Sequence, residues 1–204
     1  MKKVAFGLIL ILACIPVRAQ DSLGYMIRVN TGVTNPFSPK SLADTHIPGF
    51  NVGLALGKPI SRSVQIFGHL EFNQLALDRR GAEAYLNLEG YELKKGNASV
   101  LTGMAGLRKS FLPDKGKSLT ASFSLEAGLF HLSSQDLIES GEEERVITPG
   151  GSETAFGLEF GLALDHALDA HSSFFLELKP SIGWTREETT FIIPVQFGLA
   201  ILLY

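Results

Sequence analysis

The sequence is nearly free of cysteine, and it has no long apolar run and no excess of positive charge. Its one cysteine, Cys14, lies near the amino end, so the rest of the chain has no disulfide, thiol nucleophile or cysteine metal site. No run reaches the roughly 20 apolar residues that a helix needs to cross a bilayer. The net charge of −3 argues against nucleic-acid binding. No proline-rich or charged linker divides the chain, which predicts one domain.

The amino end has the pattern of an export signal. Lys2 and Lys3 precede an apolar run over residues 4–13, and Val17-Arg18-Ala19 resembles a small-residue cleavage site. We therefore expect a signal peptide over residues 1–19 that is cut after Ala19.

A second export pattern overlaps the first. Ile11-Leu12-Ala13-Cys14 approximates the box at which a lipoprotein is cut and its cysteine acylated, so lipidation at Cys14 is the alternative. After cleavage at Ala19 the domain would cover residues 20–204. The loss of three basic residues would then lower its net charge from −3 to about −6.

Alternation of apolar with small or polar side chains predicts eight strands. The period of two is that of strands with one face in an apolar environment. The eight segments cover residues 23–32, 50–57, 64–75, 98–111, 119–132, 154–164, 173–185 and 190–204.

The connections between these segments alternate in length. Long connections cover residues 33–49, 76–97 and 133–153, and short ones cover residues 58–62, 112–117 and 165–171. The last connection, residues 186–189, belongs to the long-loop end and is the exception, because it is short. An even strand number with long loops at one end and tight turns at the other is typical of outer-membrane barrels, whose loops face outward and whose termini face the periplasm. We predict an all-β fold, an eight-stranded antiparallel up-and-down transmembrane β-barrel.

Alternation also assigns the two faces of the predicted strands. Lipid requires a closed barrel, because unpaired backbone groups in hydrocarbon are costly. Lipid-facing rows are predicted for Phe50, Val52, Leu54, Leu56; Leu119, Ala121, Phe123, Leu125; Phe156, Leu158, Phe160, Leu162; and Phe191, Ile193, Val195, Phe197, Leu199, Ile201. Tyr25, Phe174 and Tyr204 at one end, and Phe130, Trp184 and Phe191 at the other, fit aromatic girdles.

With these features the chain resembles the small eight-stranded outer-membrane β-barrel proteins of Gram-negative bacteria, over residues 20–204. The resemblance is carried by the signal, the eight segments, the loop asymmetry and the closing residues 197–204. It implies insertion by the outer-membrane assembly machinery, contact with outer-membrane lipid and lipopolysaccharide, and a role at the cell surface. It brings no cofactor and no enzymatic motif.

The predicted interior is polar and narrow. Eight strands enclose a space that side chains just fill, so an open pore is not expected. Buried charges persist when they are paired, which predicts a network that plugs the lumen; a gate or binding site is the alternative. The predicted network is Arg28, His69, Glu71, Arg108, Glu126, Glu159, Glu177 and Lys179.

One spacing suggests chemistry. His131 and Ser133, at the outer end of the fifth predicted strand, resemble the base and nucleophile of lipid A deacylase barrels. Ser134 stands where an asparagine is expected in that family, and the orienting acid would come from Glu139 or residues 142–144. A lipid A-modifying hydrolase is therefore an alternative to a protein without enzymatic activity. The histidines show no metal-ligand spacing.

Three further expectations concern loops, prolines and a rival fold. Loop 76–97 is apolar enough to form a hairpin that captures a protein partner by strand addition, or that packs on the other loops. Pro180 and Pro194 lie inside predicted strands, and each predicts a bulge. A secreted lipocalin-like carrier would have the same alternation with its apolar face turned inward.

Overall fold

The computed structural model describes residues 24–88, 92–111, 118–140, 145–186 and 188–203. The predicted signal peptide with Cys14 and Ala19 lies outside these residues. Outside them too are residues 112–117, residues 142–144 of the third loop, and Tyr204.

Eight barrel strands form the wall, and the seventh of them is interrupted. They are β1 (Tyr25–Ser38), β3 (Gly49–Pro59), β4 (Val64–Leu77), β6 (Ala98–Phe111), β7 (Leu119–Ser134), β10 (Gly151–Ala167), β11 (Ser172–Leu178) continued by β12 (Ser181–Trp184), and β13 (Thr189–Leu203). Around one end lie β2 (His46–Ile47), β5 (Glu92–Lys95), β8 (Leu137–Ser140), β9 (Arg145–Thr148), α1 (Lys40–Thr45) and α2 (Arg79–Leu86). In the part of the chain described, no helix is long and apolar enough to cross a membrane.

Antiparallel pairing closes the ring. Each barrel strand pairs with the next one along the chain, and β1 pairs with β13 from Tyr25↔Leu203 to Ser38↔Phe191. In a closed ring, no barrel strand has an unpaired edge. Strands in hydrocarbon need this, because their backbone N–H and C=O groups find no water to bind. All eight predicted segments are present, and the seventh consists of β11 and β12.

The outer surface is apolar and the interior is polar. The predicted lipid-facing rows point outward, and leucines of this surface reach 64% exposure at Leu129. The alternate positions, such as Asn51, Ser124 and Gln196, are buried. A soluble protein rarely exposes so large an apolar surface. The lipocalin-like alternative, which needs the apolar face inside, is therefore wrong.

The two strand prolines do not produce the predicted bulges. Pairing keeps one register on both sides of Pro180 and Pro194, from Leu178↔Val195 to Ser181↔Ile192. The Lys179 N–H donates to the Pro194 carbonyl at 2.9 Å. Pro194 has no N–H to donate in return, and the Lys179 carbonyl instead accepts from Ser181 Oγ at 3.2 Å. The register of β13 shifts only opposite β1, between Pro36 and Ser38.

A cap covers the long-loop end. Loop 76–97 does not continue β4 and β6 as a hairpin, which corrects that expectation. It forms α2 and then β5, and β5 pairs with β8 of the next long loop, which in turn pairs with β9. This sheet buries Ala82, Leu93 and Leu137 against Leu77, Leu86, Leu88 and Ile147. The second alternative, a hairpin that packs on the other loops, is met in its packing but not in its hairpin.

Candidate functional site

The charged residues of the predicted network all lie in the lumen. Each of them is buried: Arg28, His69, Glu71, Arg108, Glu126, Glu159, Glu177 and Lys179. They come from β1, β4, β6, β7, β10, β11 and the link between β11 and β12. Alternation directs them inward, since each has the parity opposite to the apolar row of its strand. Within the lumen they form two groups, a central cluster and an arginine layer.

The central cluster is built around His69. Its Nδ1 lies 2.5 Å from Glu126 Oε2, and its Nε2 lies 3.1 Å from Glu159 Oε2. Both ring nitrogens therefore face carboxylates. Ser124 Oγ donates to the second oxygen of Glu126 at 2.8 Å.

Lys179 completes the central cluster. Its Nζ lies 3.4 Å from Glu126 Oε2, 3.4 Å from Glu159 Oε2 and 4.0 Å from Glu71 Oε2. Glu71 also accepts a hydrogen bond from the side-chain amide of Gln196. Three carboxylates thus share the Lys179 ammonium, the His69 ring and two neutral donors. Such pairing is what allows charges to remain buried.

The same cluster contains the donor types of a metal site. Ligand atoms of His69, Glu126 and Glu159 lie within 4.8 Å of one another. Sequence spacing gave no sign of this, because the three residues come from three strands. The Lys179 ammonium lies 3.2 to 3.4 Å from these same atoms. It therefore takes the place at which a bound cation would meet all three ligands.

The arginine layer lies nearer the short-turn end. Arg28 Nη1 lies 3.3 Å from Asp165 Oδ1, and Arg28 Nη2 lies 3.5 Å from Glu177 Oε2. Arg108 Nη2 donates to Glu177 Oε1 at 2.7 Å. The Arg28 guanidinium stands 3.7 Å above the Phe175 ring. One glutamate thus joins both arginines, and an aromatic face supports one of them.

An apolar layer lies between the central cluster and the cap. Val100, Met104, Phe130 and Ile192 are buried together, and Leu132 packs on them. Phe130 is 0% exposed, so its assignment to an outer aromatic girdle is wrong. Its ring lies against Gly183, where an added Cβ would collide with it, and its Cβ lies beside Gly157. The absence of a side chain at Gly183 makes the space that the ring fills.

The hydrolase candidates do not pair with each other. His131 Nδ1 lies 2.7 Å from Thr154 Oγ1 on the neighbouring strand. His131 and Ser133 share the outward parity of Leu129 on β7. No hydrogen bond joins His131 to Ser133 in the described part of the chain. Thr154 is the hydroxyl that accompanies this histidine.

Some lumen residues were not in the predicted network. Asp165 was placed in a turn, yet it pairs with Arg28 and accepts from Ser122 Oγ at 3.4 Å. Its inward position follows from counting in twos from Glu159, a signal that the sequence holds. Gln196 has the parity opposite to the apolar row of its strand, but no pattern along the chain predicts its hydrogen bond to Glu71.

Two groups outside the barrel wall have shifted pKa values. Burial in the cap lowers the pKa of His46, although its Nε2 donates to the Gly96 carbonyl at 2.9 Å. The pKa of Asp169, in the turn before β11, is lowered by the Ser172 hydroxyl and by the backbone N–H groups of His171 and Ser172. The cap therefore favours a neutral imidazole, and the turn favours a carboxylate.

Comparison with known proteins supports the fold. No protein-family model and no curated protein sequence matches the chain. The structure is similar to Neisserial surface protein A (NspA), with a TM-score of 0.63 and 9% identity over 88% of this chain and 97% of that one. It is also similar to the outer membrane protein OprG from Pseudomonas aeruginosa, with a TM-score of 0.55 and 12% identity over 89% and 96% of the two chains.

At these identities the likeness concerns the fold. The predicted fold class and the predicted resemblance to small outer-membrane β-barrels are confirmed. The fold and the apolar exterior are those of an outer-membrane protein, as the sequence predicted.

Proposed function

We propose that the protein is an integral outer-membrane barrel with a structural or surface-interaction role, and that its lumen is plugged and does not conduct. The observation that carries this proposal is the succession of filled layers along the lumen. The arginine layer, the central cluster and the apolar layer each place side chains from opposite walls in contact.

Ion pairs alone do not seal a barrel, because water can enter between charged groups. The apolar layer supplies the second barrier, since Phe130 and Ile192 are fully buried and leave no polar partner for water. A solute that crossed the lumen would have to separate buried ion pairs and displace an aromatic ring. Both steps leave uncompensated groups in a low-dielectric interior.

Single-channel recording in planar bilayers tests the plug. The refolded full chain should give no large, stable openings, and Phe130→Ala should give brief ones because it removes the ring from the apolar layer. Leu129→Ala is the matched control, since it shortens the neighbouring side chain on the lipid face. Large, stable openings of the unmodified protein would contradict the plugged lumen.

The proposed surface role rests on the external cap. Exposed side chains of the cap include Tyr85 on α2 and Val146 on β9. We infer contact with lipopolysaccharide at this level and a protein partner at loop 76–97, with insertion by the outer-membrane assembly machinery. Cross-linking in intact cells from position 85 should yield an adduct with lipopolysaccharide or with the protein partner. A probe at Leu119, beside the short turns, is the matched control and should not yield that adduct.

A further inference from the structure

A cavity of about 240 Å³ lies at the short-turn end of the lumen. We call it the periplasmic vestibule, since short turns face the periplasm in this fold. Arg28 and Arg108 line it together with residues of the exposed turn 169–172. Neutral side chains with hydrogen-bonding groups also line it: Gln65, Ser110, Thr120 and Ser173.

The arginines of the vestibule have donor groups to spare. Arg108 Nη1 and Arg28 Nη2 have no hydrogen-bond partner among the described residues. The two residues are 4% and 5% exposed. Arg28 Nη2 has Glu177 as an ion-pair neighbour at 3.5 Å, so Arg108 Nη1 is the clearer case. A buried N–H of a charged group without an acceptor is costly.

The acidic groups of the vestibule are already engaged. Asp165 pairs with Arg28 and accepts from Ser122. Asp169 accepts from the Ser172 hydroxyl at 2.6 Å and from two backbone N–H groups of its own turn, at 2.7 Å each. The vestibule therefore offers unused donors, while the acceptors that would hold a cation are occupied.

We propose that the periplasmic vestibule binds a small oxyanion, a phosphate or carboxylate group, with Arg108 as its main contact. The planar guanidinium presents paired N–H groups that match two oxygens of such an anion. The Phe67 ring, 5.0 Å from the Arg108 guanidinium carbon, helps to fix this plane. The central cluster and the apolar layer lie beyond, so the anion enters and leaves from the periplasmic side.

Nuclear magnetic resonance of the refolded full chain in micelles tests this site. The Nε–Hε signals of the arginines are followed while sodium phosphate or, separately, sodium acetate is added. Sodium chloride at the same ionic strength reports screening alone. The Arg108 signal should shift and saturate with an oxyanion and not with chloride. Saturation with phosphate alone identifies a phosphate site, and saturation with acetate alone identifies a carboxylate site.

Variants separate this site from general charge effects. Arg108→Gln should weaken oxyanion binding about tenfold or more, since a charge-assisted hydrogen bond is lost, and Arg108→Lys should weaken it less. In these variants the signal of Arg28 reports binding. Arg145→Gln, which removes the same charge from exposed β9 of the cap, should leave binding unchanged. If Arg108→Gln does not fold, Ser110→Ala is tested in its place and should weaken oxyanion binding about twofold or more.

Any of four results would overturn the proposal. The first two are no saturable shift of Arg108 with either anion and an equal response to chloride. The other two are equal weakening by Arg145→Gln and Arg108→Gln, and binding that survives Arg108→Gln unchanged in a folded barrel.

Discussion

Replacement of Lys179 by methionine should destabilise the barrel by about 3–5 kcal/mol. The ammonium group of Lys179 lies 3.4 Å from one oxygen each of Glu126 and Glu159 and 4.0 Å from Glu71. Methionine keeps most of the apolar stem but leaves three buried carboxylates to share His69. Removal of one partner of a buried pair has this large effect because the remaining charge stays uncompensated.

Urea unfolding in lipid vesicles measures the loss. The chain has one tryptophan, Trp184, which stacks on Phe156 with ring centroids 5.9 Å apart, so its fluorescence reports the cap end of the barrel. Migration of unboiled samples on gels shows which variants are folded. Lys40→Met is the matched control, because the Lys40 side chain is 83% exposed and its loss should change stability by less than about 0.5 kcal/mol.

A double-mutant cycle decides whether the loss comes from the pairing. Glu159→Gln combined with Lys179→Met should cost less than the two single changes together, by about 1–3 kcal/mol. If the free energy of unfolding of Lys179→Met lies within about 1 kcal/mol of that of the unmodified protein, the central cluster does not act as a coupled ion-pair network. The same conclusion follows if the losses of the two single variants simply add.

Three further predictions concern the lipid face, the cap and β7. Leu125→Lys should cost about 2–4 kcal/mol in the same unfolding assay, and Leu119→Lys, near the periplasmic rim, about 0–1 kcal/mol; equal costs would contradict the assigned depths. Since the pKa of His46 lies below its usual 6.5, the folded cap binds fewer protons in acid than the unfolded cap and should lose stability as the pH falls below about 6.5. Hydrogen exchange in the cap, corrected for intrinsic rates, should show this loss, and His46→Gln should abolish it. Ser133→Ala should leave lipid A unchanged in whole-cell mass spectra. Loss of a deacylated lipid A species in this variant would instead support a hydrolase function.

The sequence predicted the barrel because each strand carries its own face assignment. Phe156, Phe160 and Leu162 alternate with Glu159 and small residues, and this local pattern holds whatever the partners of the strand are. Strand β6 is the exception, since Gly103, Ala105 and Gly106 blur its alternation. Its inward face becomes clear only from its neighbours, for example where a Cβ on Gly106 would collide with the backbone of β7.

The contacts between strands could not be predicted in the same way. His69 meets Glu126 and Glu159 because of the register of three strand pairs, which no local pattern fixes. Pairing of β5 with β8 joins residues such as Lys94 and Ile138, and it is stabilised by burial of Leu93 and Leu137. Such pairing depends on how two long loops pack together, so the strand propensity of either loop alone does not predict it.

The lumen charges also restrict how the strands can pair. A slip of one residue turns every side chain of a strand to its other face, so a slipped β10 would place Glu159 in hydrocarbon, Asp165 on the outer surface near the rim and Phe160 in the lumen. Each misplaced charge is costly in lipid, and the abandoned partners Lys179 and Arg28 would remain unpaired inside. The ion pairs contribute little net stability as pairs. They make every shifted register much worse, and this difference explains why a narrow interior that leucine could fill contains charged side chains.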